Sequence, residues 1–209
     1  MPDSHSLLLF ILAGLALNIT PGPDMLYIAA RSGTEGRRAG IASALGVGAG
    51  TLVHIAALTL GLAALLGSVP LAYDAVRLAG AAYLIYLGIR ALIRPPTLSA
   101  RVALERASLW AIFRQGVITN VLNPKVALFF LAFVPQFVDP TRGPPAVQIV
   151  VLGLIFDVNG TLVNIGVAVG AGSVGSLFLG RRSRNARILG RATGVLLIGL
   201  GARVALTSK

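Results

Sequence analysis

Apolar residues run along this chain in six stretches of membrane-spanning length, at about 6–30, 39–66, 72–93, 109–136, 146–176 and 188–206. Each is long enough, at 1.5 Å per residue in a helix, to cross roughly 30 Å of hydrocarbon. Two are interrupted by polar and helix-breaking residues. The first break is Asn18-Ile19-Thr20-Pro21-Gly22-Pro23-Asp24 and the second is Asn120-Val121-Leu122-Asn123-Pro124-Lys125. Proline removes an N–H and blocks the preceding turn, so each break frees backbone groups that cost roughly 2–7 kcal/mol apiece in hydrocarbon unless protein or a polar cavity receives them. Paired interruptions in corresponding parts of a chain point to a transporter's substrate site.

The pattern also repeats. Residues 1–94 laid over 109–209 bring Asn18 and Pro21-Gly22-Pro23 onto Asn120 and Asn123-Pro124-Lys125 at an offset of 102. Gly50-Thr51-Leu52-Val53-His54-Ile55 falls on Gly160-Thr161-Leu162-Val163-Asn164-Ile165 at an offset of 110, with five of six residues identical. Leu84-Ile85, Leu87-Gly88 and Arg90 fall on Leu197-Ile198, Leu200-Gly201 and Arg203 at an offset of 113. Common order and a slowly drifting offset predict an internal duplication. Three spans per half, an odd number, force the second half to enter the membrane from the opposite side, so the repeats are inverted and the site is expected at their interface near the bilayer midplane. The predicted fold is an all-α polytopic membrane protein of six helices: a single domain with repeat 1 at 1–94, a connection at 95–108 and inverted repeat 2 at 109–209, helices 1 and 4 being interrupted at mid-membrane.

Composition agrees with the membrane assignment. Of 209 residues, 56% are hydrophobic and 12% charged, and the mean hydropathy is +0.84, too few polar groups to coat a water-soluble domain. The net charge of +11 is a topology signal, with no implication of nucleic-acid binding. Arg31, Arg37 and Arg38 follow the first span; Arg90, Arg94, Arg101, Arg106 and Arg114 surround the 95–108 connection; Arg181, Arg182, Arg184, Arg187 and Arg191 follow the fifth. These are 13 of the 18 basic residues, all in alternate connections. The opposite side holds Arg77, Arg142, Arg203 and Lys209. The positive-inside rule predicts that the Arg-rich loops are cytoplasmic, against lipid head groups, and that both termini are periplasmic. No basic residue precedes Arg31, so the first span reads as a retained helix and not as a cleaved signal peptide. Cysteine is absent and His5 and His54 are the only histidines. Thiol chemistry and a multi-histidine metal centre have no residues to build them, so no enzyme, metal or cofactor is expected.

Charged groups within spans should face the bundle interior and each other, because an isolated charge in hydrocarbon costs roughly 2.5–3.5 kcal/mol even on insertion scales. Asp24, Lys125 and Asp157 are such groups. Each also has a plainer use: Asp24 as a first-turn cap or loop ion pair, Lys125 as a chain snorkelling to an interface, Asp157 as a structural partner of Lys125. His54 reads either as a helix-packing group or as a proton carrier. Asn159 and Asn164 read either as interhelical hydrogen-bonding groups or as site lining, and the glycines at 46, 48, 50, 80, 88, 153, 160, 166, 170 and 172 as positions of close helix packing. Tyr83 and Tyr86 read as packing residues.

At these residues the chain resembles the LysE/RhtB superfamily of amino-acid exporters. The resemblance rests on Asn18-Ile19-Thr20-Pro21-Gly22-Pro23, on Asn120-x-x-Asn123-Pro124-Lys125 followed by Leu128-Phe129-Phe130, on Gly80-x-x-Tyr83-Leu84-x-x-Leu87-Gly88, and on Asp157. It implies a bacterial inner-membrane exporter of amino acids or related small amines, driven by the proton or an ion gradient. The expected substrate site comprises Asn18, Pro21, Gly22, Pro23, Asp24, Asn120, Asn123, Pro124, Lys125 and Asp157. A substrate carboxylate would lie on Lys125 and on the N–H groups opening the helix near Pro23, its ammonium on Asp157, with Asn120 and Asn123 supplying amide contacts. Asp157, with Asp24 and His54 as further candidates, would couple transport to protons. A polar-lined passive channel is the rival reading. Small-residue faces permit a homodimer without demanding one.

Overall fold

The computed structural model describes residues 3–68, 70–93 and 106–173, with residues 191, 194, 195, 198, 199, 201, 202, 205 and 206. The described residues form helices and short connections, without a strand. The predicted sixth span and the 95–108 connection lie mostly outside them, as do Arg94, Arg101, Arg181, Arg182, Arg184, Arg187, Arg203 and Lys209; the described residues from 191 to 206 are helical.

The first span is two helices, α1 (Ser4–Ile19) and α2 (Pro23–Glu35), bent by 50°. Helix α3 is Arg37–Ser68 and α4 is Pro70–Ile93. The fourth span divides into α5 (Leu109–Val121) and α6 (Pro124–Leu128), the latter running on through a π-helical turn at Phe129–Phe133 and a 3₁₀ turn at Val134–Phe137, with a 46° bend at the break. Helix α7 is Pro145–Ser173. Among the described residues, two uninterrupted segments, Arg37–Gly61 and Pro145–Ala171, are long and apolar enough to cross a membrane, and each bent pair meets the same test when taken together.

Local chemistry sets these boundaries. Asp3 caps α1 by accepting the Ser6 N–H at 2.9 Å, and Ser108 caps α5 through the Ala111 N–H at 3.2 Å. Pro23 and Pro124 stand at first-turn positions of α2 and α6, where no intrahelical N–H is needed. Gly36, at φ 86°, closes α2 in the left-handed region that glycine enters without strain.

A phenylalanine-rich core of Phe10, Phe129, Phe130, Phe133 and Phe156 binds α1, the α6 extension and α7. Large apolar side chains also point outward: Leu154, Val158 and Leu162 form an exposed ridge along one face of α7, and Leu45 and Leu52 one along α3. Such ridges suit lipid.

Glycines bring the helices together, and they do so in reciprocal pairs. A methyl on Gly50 would lie 2.7 Å from Asn120 Cβ, and one on Gly160 would lie 3.0 Å from Asn18 Oδ1. A methyl on Gly116 would meet Gly46 Cα at 3.2 Å, and one on Gly14 would meet the Phe156 ring at 3.1 Å. Gly88 packs against Gly194 and Ile198, while Gly201 packs against Ala81 and Ile85. In all three cases the second contact is the first with the halves exchanged, at the offsets of 102, 110 and 113 read from the sequence. Close packing holds at Gly46, Gly48, Gly50, Gly88, Gly153 and Gly160, whereas Gly166 and Gly170 face open space. Tyr83 and Tyr86 lie with their rings 6.0 Å apart.

Candidate functional site

In an unbroken helix Leu17 O would accept the N–H of residue 21, and Pro21 has none. Leu17 O accepts the Thr20 N–H at 3.1 Å instead, and Lys125 adds a second donor: its Nζ donates to Leu17 O at 3.1 Å and to Thr20 O at 2.9 Å. In the second break Asn120 O would accept from residue 124, which is proline. His54 Nε2 lies 3.1 Å from Asn120 O, and because a carbonyl only accepts, this contact calls for the Nε2–H tautomer. Each carbonyl that loses its i+4 partner to proline thus keeps one tight backbone bond, from Thr20 N–H at 3.1 Å or from Asn123 N–H at 2.9 Å, and is also met by a side chain from another helix. Lys125 lines the same cavity as Asp24 and Asp157, and its ammonium donates to the two helix-end carbonyls with no hydrogen bond to either carboxylate.

The other break residues set the shape. Asn123 caps α6 by accepting the Lys125 backbone N–H at 3.0 Å, and its Nδ2 is buried without a hydrogen-bond partner. Asp24, in the first turn of α2, is 7% exposed. Its Oδ2 accepts from Asn120 Nδ2 at 2.8 Å, while its Oδ1 is buried without a partner. An unpartnered buried polar atom costs about 1–3 kcal/mol, more when charged, and calls for an explanation.

Asn18, Asp24, Asn120, Lys125 and Asp157 come together around one cavity, with Met25, Val47, Gly48, Thr51, Val126, Phe156, Gly160, Thr161 and Asn164 completing its wall. Pro21, Gly22, Pro23, Asn123 and Pro124 shape the breaks behind this wall, and His54 and Asn159 also stand outside it. Asn18 Nδ2 donates to Phe156 O at 3.3 Å, fastening the first break to α7. The cavity is tight: the space open to the centre of a water-sized sphere is about 20 Å³, room for a water or so and too little for an amino acid.

Two hydroxyls escaped the sequence reading. Thr51 Oγ1 lies 3.4 Å from Asn120 Oδ1 and Thr161 Oγ1 lies 3.5 Å from Asp157 Oδ1. Both are second residues of the repeated Gly-Thr-Leu-Val segment, so its duplication was the signal for them.

The family model described as LysE type translocator matches residues 15–208. An uncharacterized membrane protein of Pseudomonas aeruginosa is 31% identical over 202 residues, covering 94% of this chain and 93% of its own. The leucine efflux protein of Salmonella typhimurium is 27% identical over 197 residues, covering 94% and 92%. The homoserine/homoserine lactone efflux protein of the same organism is 30% identical over 196 residues, covering 94% of each. No solved structure matches the chain.

Proposed function

Because the chain belongs to the LysE type translocator family, we propose that it is a secondary active exporter of amino acids or related amino compounds across the bacterial inner membrane. It works by alternating access about the cavity between the two breaks and is coupled to the proton gradient. The observation that carries this reading is the unpartnered, buried Asp24 Oδ1 in a cavity that also holds Asp157. Two carboxylates without an ion-paired cation suit a protonated amine.

The relatives' names narrow the recognised group. Leucine, homoserine and homoserine lactone share an α-amino group, and the lactone has no free carboxylate. The amine is therefore the anchor, held between Asp24 Oδ1 and Asp157. A carboxylate, where the substrate has one, meets the third N–H of Lys125, whose other two are engaged. A proton on Asp157 competes with the substrate amine, and that competition couples the two fluxes.

The reciprocal glycine contacts support two inverted repeats, and the repeat suggests how access alternates. On one side of the cavity Tyr27 donates to Ile112 O at 2.7 Å, Arg31 to Gln115 Oε1 at 2.6 Å, and the Ala107 N–H to Glu35 at 3.0 Å. At the offset of 102, Tyr27, Arg31 and Glu35 correspond to Phe129, Phe133 and Phe137, and Ile112 to Phe10. Phe10 stands 5.9, 6.2 and 5.3 Å from those three rings. Polar contacts close the Arg-rich, cytoplasmic end and an aromatic cluster closes the other. With both shut the cavity is occluded, and each opens in turn as the halves rock.

The test is competition in liposomes containing the purified protein. Leucine, homoserine and homoserine lactone should compete for efflux of a transported amino compound, whereas N-acetyl-leucine, whose amine is blocked, should not. Equal competition by N-acetyl-leucine would overturn amine recognition.

A further inference from the structure

The broken end of α1 collects negative potential. Leu17 O and Thr20 O lie at a helix C-terminus, where carbonyls left without their i+4 N–H carry partial negative charge; Leu17 O accepts only the Thr20 N–H of its own turn, at 3.1 Å, and Asp24 lines the cavity that Lys125 also lines. In carriers with broken helices, unwound carbonyls and half-helix C-termini are where a coupling cation is coordinated. Here an ammonium supplied by the other half of the chain stands there, with Nζ 3.1 Å and 2.9 Å from the two carbonyl oxygens. Space is reserved for it: a Cβ on Gly22 would lie 3.2 Å from Lys125 Nζ and 3.4 Å from Cε. The arrangement is one-sided. At the offset of 102 the residue matching Lys125 is Pro23, which has no donor, and the freed carbonyl of the second break is met by His54 instead.

We infer that Leu17 O and Thr20 O form a monovalent-cation site that Lys125 permanently fills, so that the protein needs neither sodium nor potassium. The tethered charge does what a bound alkali ion does elsewhere: it neutralises the broken helix end and ties the two halves together across it. Coupling is left to the carboxylates. Only the transport consequence rests on the exporter reading, since the cation site is a property of the fold.

Removing the charge should expose the site. Lys125→Ala deletes the equivalent of a propylammonium group, and Lys125→Met keeps most of the stem without the charge. In choline chloride both variants, purified at full length in detergent, should unfold roughly 5–10 °C below the unmodified protein, from the loss of two charge-assisted hydrogen bonds. Addition of n-propylammonium chloride should return most of that difference to Lys125→Ala and none to the unmodified protein. Exchanging choline for sodium or potassium should leave the unmodified protein's midpoint and its transport unchanged. Three results would overturn the inference: a Lys125→Met midpoint equal to that of the unmodified protein, a Lys125→Ala deficit that propylammonium does not reduce, or stabilisation of the unmodified protein by an alkali ion. If neither variant can be isolated folded, the unmodified protein decides: alkali-ion-dependent stability overturns the inference and its absence supports it. Failure of all transport with intact propylammonium rescue would count against the exporter reading and leave the cation site standing.

Discussion

At Asp24 the two carboxylate oxygens have different fates, one accepting from Asn120 and the other buried without a partner. Asparagine there would keep an oxygen for Asn120 and remove an uncompensated buried charge, so Asp24→Asn should match or exceed the unmodified protein in thermal midpoint. Its apparent affinity for an amino substrate should fall on the order of 30-fold or more, the loss expected when one member of a buried charge pair is removed. Unchanged affinity in a competition assay would take Asp24 out of the site. Asp157→Asn should still exchange labelled for unlabelled substrate but lose its response to an imposed pH gradient; a retained response would remove Asp157 from coupling. Residue types in the sequence were enough to single out Asp24, Asp157 and Lys125, because charge within an apolar span is rare. Their partners were not legible, since the acceptors of Lys125 are backbone carbonyls, Leu17 O facing the missing N–H of Pro21 and Thr20 O standing where the helix has ended.

At the scale of elements, the breaks were readable because proline enforces them, and the structure bends the two spans by 50° and 46° there. The π-helical turn at Phe129–Phe133 carried no such punctuation, as its residues would equally continue an α-helix. Glycine was legible as a class and not by position. A methyl on Gly46 would lie 2.1 Å from the Phe113 carbonyl oxygen, whereas one on Gly166 meets nothing within 4 Å. Gly46→Ala should therefore force α3 from α5 and destabilise by about 3 kcal/mol, the upper part of the usual overpacking range. Gly166→Ala should be neutral or stabilising by up to about 1 kcal/mol. Thermal midpoints of the two variants in one detergent check the contrast, and equal midpoints would contradict the packing account.

For the whole molecule, the offsets of 102, 110 and 113 were present in the sequence, but only reciprocal contacts give them spatial meaning. Periodicity cannot say which faces meet. Orientation can be checked on a chain that lacks cysteine: Ser4→Cys should react with a membrane-impermeant maleimide in cells with a permeabilised outer membrane, and Arg106→Cys only after the inner membrane is opened. The opposite labelling would invert the topology. Proton-coupled carriage of amino compounds is tested in liposomes that contain the purified protein and are loaded with the twenty amino acids and homoserine under an imposed pH gradient. A proton-coupled carrier should give selective, saturable loss of a subset of these that collapses with a protonophore. Loss that is unselective, does not saturate or ignores the protonophore would contradict it.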